Sequence, residues 1–94
     1  MHVGVCTIEL RLPGNASLKG KRSVVKSITT RVTREFNVSI AEVDAQDRWQ
    51  QAILGVSCVS SSADYAHGQL ERVVDWIEDN RPDVDLVAYQ IEML

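Results

Sequence analysis

Apolar and polar residues alternate along the start of the chain. From Val3 to Leu12, Cys6, Ile8, Leu10 and Leu12 share one side, while Thr7, Glu9 and Arg11 share the other. A period of two predicts a half-buried β-strand. Pro13-Gly14-Asn15 breaks it, and Ser17 stands where a helix N-cap belongs. Leu18, Val24, Val25, Ile28, Val32 and Phe36 then recur at helical spacing and form one apolar stripe, which Asn37 ends. Val38 to Asp44 reads as a second strand, Ala45 to Arg48 as a polar turn, and Gln51 to Ser60 as a third strand with Ala52, Leu54, Val56 and Cys58 on one face. These two strands make a hairpin. Ser61, with Asp64 three residues on, approximates a capping box for a second helix whose stripe is Ala66, Leu70, Val73, Val74 and Ile77. Asn80-Arg81-Pro82 stops that helix, and Val84 to Leu94 predicts a fourth strand with Val87, Tyr89, Ile91 and Met93 on one face.

The order β-α-β-β-α-β is the signature of the ferredoxin-like α+β fold, a four-stranded antiparallel sheet with two helices on one face. Residues 1–94 form one such domain, without a linker or repeat. Ninety-four residues suffice for one core, and 45% apolar with 24% charged residues is an ordinary globular composition.

Charge changes the picture more than composition does. The net charge of −3 conceals a division of the chain. Residues 1–34 carry seven of the ten basic groups against the single acid Glu9, a local charge of +6; residues 35–94 carry twelve acids and three bases, a local charge of −9. Within the first helix, Lys19, Arg22 and Lys26 fall at i, i+3 and i+7 opposite the apolar stripe, and Arg31 and Arg34 continue around that side. Together with Lys21 they make a candidate ridge for phosphate oxygens, which Lys meets as a point charge and Arg as a bidentate fork. An ordinary solvated helix face has the same composition. The acidic second helix, with Glu71, Asp75, Glu78 and Asp79, confines any polyanion contact to one side.

Other candidate chemistry is sparse. Gly14 to Ser23 imitates a phosphate-binding loop but fails on spacing: five residues separate its glycines, and Arg22 stands between Lys21 and Ser23. His2 and His67 have no partners at metal-ligand spacing. Glu9, Glu42 and Glu92 all project from the sheet face away from the helices if the alternation holds, and clustered carboxylates there would bind a cation or exchange protons. Solvated residues on an open face are the favoured account of them, because nothing in the sequence marks a substrate pocket. That face lacks the aromatic platform on which sheets of this topology stack bases. Ile40, Ile53 and Val5 interrupt its polarity, which suits pairing with a second copy. Tyr65 and Trp76 flank Arg72 on the second helix as interface candidates. Cys6 and Cys58, both within apolar runs, fit a reduced, cytoplasmic chain. No signal peptide or bilayer-spanning run is expected. Nothing calls for a cofactor, a metal, a membrane or DNA, and the expectation is a non-enzymatic module.

The run Ser17-Leu18-Lys19-x-Lys21-Arg22-Ser23-Val24-Val25-Lys26, then Phe36-Asn37-Val38-Ser39-x-Ala41-Glu42-Val43, Trp49-Gln50 and Leu54-Gly55-Val56, resembles the YlxP-like family of small bacterial proteins. The resemblance covers nearly the whole chain. It implies a ferredoxin-like domain of unknown function, with a ribosome- or RNA-associated role suggested by neighbouring genes for translation initiation and ribosome maturation. It carries the family's basic signature onto Lys19, Lys21, Arg22 and Lys26, and its acidic strand position onto Glu42. One departure is Gly20, where the family usually has an acid that completes a capping box with Ser17. A glycine in the first turn, without the acid's bond to the cap, costs about 0.5–1 kcal/mol.

Two functional expectations follow: an accessory module that docks its basic helix on structured RNA, ribosomal RNA among the candidates, and a protein-interaction domain acting as a homodimer.

Overall fold

A computed structural model describes residues 1–94. The chain runs β1 (His2–Arg11), α1 (Leu18–Glu35), β2 (Ser39–Asp44), β3 (Gln51–Ser60), α2 (Ala63–Asn80) and β4 (Asp85–Met93). The sheet order is β2-β3-β1-β4 with every neighbouring pair antiparallel, so the two β-α-β units interleave and both helices pack on one face. This is the ferredoxin-like α+β architecture.

The alternation in β1 and β3 is realised residue by residue. Cys6, Ile8, Leu10, Ala52, Leu54, Val56 and Cys58 are buried beneath the helices, where they meet Val25, Ile28 and Val32 of α1 and Ala66, Leu70, Val73, Val74 and Ile77 of α2. Gly4 lets α2 settle closely on β1, since a Cβ there would lie 2.9 Å from Leu70 Cδ1.

Capping follows ordinary local chemistry. Ser17 Oγ accepts from Gly20 N at 3.0 Å and starts α1. For α2 the cap is Ser62, which accepts from Tyr65 N, rather than the expected Ser61. Ser60 Oγ accepts from Ser62 N, which fixes the approach by one residue more than the capping-box spacing implies. The helix α1 closes at Phe36, one residue before the expected Asn37.

Two β-bulges correct the sequence-based faces. One, between Glu9 and Leu10 where β1 meets β4, pairs Leu10 with Leu86 and Glu9 with Ala88. Leu86, rather than Val87, therefore reaches the core side, and Val87 is exposed. Ile40 pairs with the buried Val56 and packs against the core, so it lies on the helix face and not on the open face. The second bulge, between Glu42 and Asp44, leaves Glu42 opposite Leu54 on that same helix face. Both bulges lie where an edge strand joins the sheet, so an unpaired residue there disrupts the fewest ladder bonds.

Candidate functional site

The cationic positions of α1 separate into three environments. Lys19, Arg22, Lys26 and Arg34 are exposed. Arg31 is exposed too, but its guanidinium lies over the Trp76 ring at 5.4 Å from the centroid, across the seam between the helices. On the same seam Arg81, which caps α2, donates to Ser27 Oγ at 2.7 Å. On the helical wheel Lys19, Arg22 and Lys26 occupy the flank turned away from that seam.

Lys21 is the exception. Its side chain is 0% exposed; Nζ lies 2.8 Å from Glu42 Oε2 and donates to the Ala45 carbonyl oxygen. It does not belong to the phosphate ridge, because its ammonium is engaged inside the fold. The signal is present in the spacing: positions 21, 25, 28 and 32 are the buried face of α1, and Lys21 occupies its first place. A lysine there requires a carboxylate facing it, and Glu42 supplies one. Glu42 accordingly does not join Glu9 and Glu92. Those two project on the open face at the levels of Ala88 and Val5, four residues of β1 apart, or roughly 13 Å at strand rise. The three carboxylates form no common site, and no group of three or more His, Cys, Asp or Glu residues converges anywhere in the chain.

The only ion pairs are Lys21–Glu42 and Arg81–Asp83. Lys19, Arg22, Lys26, Arg31 and Arg34 therefore face solvent without an internal carboxylate. Arg81 donates to both carboxylate oxygens of Asp83, at 2.9 and 2.7 Å, and holds that carboxyl below its usual range.

On α2, Arg72 lies over the Tyr65 ring at 5.5 Å and donates to Gln69 Oε1, while Tyr65 is 58% exposed. Trp76 is half-buried and packs against the core beneath Arg31. The thiols of Cys6 and Cys58 are buried and free. Burial, with the Glu71 carboxylate second, pushes the Cys6 thiol up to about 11; burial likewise raises Cys58. Tyr89 donates to Glu71 Oε2 at 3.0 Å, and this bond raises its phenol.

One grouping is not expected from the sequence, in which Glu9 alone of its members is a candidate site residue. Glu9 and Arg11 of β1, Arg48, Trp49 and Gln50 of the β2–β3 loop, and Gln51 line an open cleft of about 580 Å³. Trp49 is 54% exposed there. The loop thus supplies an aromatic at the margin of the sheet. It is held against the start of α1: Asn15 Nδ2 donates to the Trp49 and Ser17 carbonyls, Gln50 Nε2 donates to the Asn15 carbonyl at 3.1 Å, and Leu12 N donates to the Gln50 carbonyl at 2.9 Å. Gly20 makes room for this clasp, since a Cβ at position 20 would lie 2.2 Å from Asn15 Oδ1. Gly20 thus admits Asn15 to the loop. Trp49 is not legible as a site because it lies outside any periodic element; its neighbours Arg11 and Glu9 come from 38 and 40 residues earlier.

Interleaved β-α-β units, both helices on one face and an unpaired cationic helix define a small ferredoxin-like α+β domain with a one-sided basic surface. The chain belongs to the family described as protein of unknown function DUF503, whose model matches residues 3–91. It is similar to the uncharacterized protein YlxP of Bacillus subtilis (strain 168), with 41% identity over 90 residues, 96% of this chain and 97% of that relative.

Proposed function

We propose that this chain is a non-enzymatic, cytoplasmic accessory module that docks α1 on the phosphates of structured RNA, with ribosomal RNA as the first candidate. The observation that carries the reading is the set of five exposed cations, Lys19, Arg22, Lys26, Arg31 and Arg34, none of which has a carboxylate partner within the fold. Of these, Lys19, Arg22 and Lys26 share one flank of α1 and match a row of phosphate oxygens, and their binding releases counterions. The acids of α2 repel the same polyanion and leave α1 as the contact face. No helix is long and apolar enough to cross a membrane.

The test is co-sedimentation of the tagged chain with ribosomes and with purified RNA at two salt concentrations, for the native sequence and for R22E/K26E. Retention that falls steeply with salt and is lost in R22E/K26E supports the reading. Retention unchanged by the double reversal overturns it.

The rival reading, a homodimeric protein-interaction domain, draws on the open sheet face. Val43, Val59 and Val87 are exposed there, and a Cβ at Gly55 would lie 2.8 Å from Val43 Cγ1, so the valine lies across the strand. A dimer that survives high salt and protects this face favours the rival; a monomer favours RNA docking.

A further inference from the structure

We propose that the cleft beside Trp49 binds a single unpaired nucleotide, with guanine as its preferred base. The inference goes beyond the α1 ridge, since none of the ridge cations lines the cleft.

Each part of a nucleotide meets a matching group. The base finds an exposed indole, and stacking on an aromatic side chain is the general means of holding an unpaired base. Trp49 has no place in the hydrophobic core, so its exposure is not explained by packing. The phosphate finds Arg11 and Arg48, neither of which is in an ion pair. With Glu9 they give the cleft a charge of +1 in a chain of net −3. The base edge finds Glu9, whose Oε2 accepts from Gln51 Nε2 at 3.1 Å; Oε1 receives no hydrogen bond from the protein. A carboxylate only accepts. Guanine offers two adjacent donors, N1–H and the N2 amino group, on its Watson–Crick edge. Adenine places an unprotonated, accepting N1 there instead, and the two acceptors repel. The cleft volume of about 580 Å³ lies within the range of small-molecule sites.

The site is also preorganised. The Asn15 clasp fixes the Trp49 backbone and the Gln50 side chain, so binding does not have to order the loop that carries the indole. A free nucleotide and a guanine in a single strand present the same base and phosphate, and the experiment separates them.

The indole N–H resonances of the intact chain serve as the readout. There are two tryptophans, and the resonance missing in W49F identifies Trp49. Titration with GMP is expected to move that resonance saturably and leave Trp76 in place, with AMP requiring about tenfold more for the same shift. In E9Q the preference for GMP shrinks, and in R11A/R48A both nucleotides bind more weakly. A hexauridylate strand with one central guanosine that acts at lower concentration than GMP assigns the site to RNA; equal potency assigns it to the free nucleotide. R22E/K26E leaves the GMP shift intact, so failure of the α1 reading does not imply failure here. No movement of the Trp49 resonance with GMP or with the guanosine strand overturns the proposal, and equal response to AMP and GMP overturns the guanine assignment.

Discussion

Lys21 Nζ and Glu42 Oε2 meet at 2.8 Å with the lysine wholly buried, and no hydrogen-bond donor other than this ammonium approaches Glu42 Oε2. The pair joins α1 to β2, and the accompanying bond to Ala45 holds the start of the β2–β3 loop. Removing one partner strands the other charge in a poorly solvated position, whereas removing both restores an apolar contact. K21M is expected to lose about 3 kcal/mol of stability in urea unfolding, and K21M/E42L to lie within about 1 kcal/mol of the native chain. A double variant as unstable as K21M would show that the ammonium's bond to Ala45 matters more than the ion pair.

Ala45 has a φ of 57°, the only non-glycine residue in the left-handed region. Its conformation is imposed from outside, by Lys21 on its carbonyl and by Asp44 Oδ1 accepting from its N–H at 2.7 Å. A45G relieves the Cβ clash of that region and is expected to stabilise the fold by about 0.5–1 kcal/mol. Thermal unfolding of the two chains checks this; a loss of stability would mean that the added freedom of the unfolded glycine outweighs the relief.

For the ridge, the structure separates cations that the sequence groups together. Replacing Lys19, Arg22 or Lys26 by Ala is expected to weaken RNA binding. The slope of log affinity against log salt should then shrink by about 0.7–0.9 for each phosphate that is no longer neutralised. K21M, measured where it is fully folded, leaves that slope unchanged. A slope that drops in K21M and not in R22A would place the RNA elsewhere on the surface.

Between neutral and alkaline pH the buried thiols act on stability. Cys6 is pushed up to about 11 by burial and Glu71, against an ordinary value of 9.0, and Cys58 is raised by burial. The folded state therefore keeps protons that the unfolded chain releases. Stability is full below about pH 9 and falls as the pH rises through the folded values. Urea midpoints measured from pH 8 upward should decline, and C6A should flatten that decline. Both thiols should react with a maleimide at neutral pH only after denaturation.

At the acid end the sign reverses. Arg81 holds Asp83 below its ordinary 3.8, chiefly through the side-chain hydrogen bonds. Its contribution is present above that value and is lost as the pH falls through the folded one. D83N should therefore lower stability modestly at neutral pH and by progressively less below about pH 4, where Asp83 is itself protonated; the loss is modest because the Asp83 side chain is 44% exposed.

Periodicity determined a great deal about this protein. Strict alternation in β1 and β3 and the stripes of α1 and α2 specify which residues enter the core, because each element has one buried face and a fixed repeat. The order of elements then specifies the topology. The charge division between residues 1–34 and the remainder was equally legible, being a property of composition. Tertiary structure decided what single elements leave open. Whether a lysine on a buried helical position is paired depends on Glu42, which lies 21 residues away and reaches it only across the sheet face. Which of Leu86 and Val87 points inward depends on a bulge whose cause is the match to β1. The cleft at Trp49 exists only where β1, β3 and a loop clasped by Asn15 come together. Local sequence governs neighbours a few residues apart; these three features depend on register and loop closure, which only the folded chain fixes.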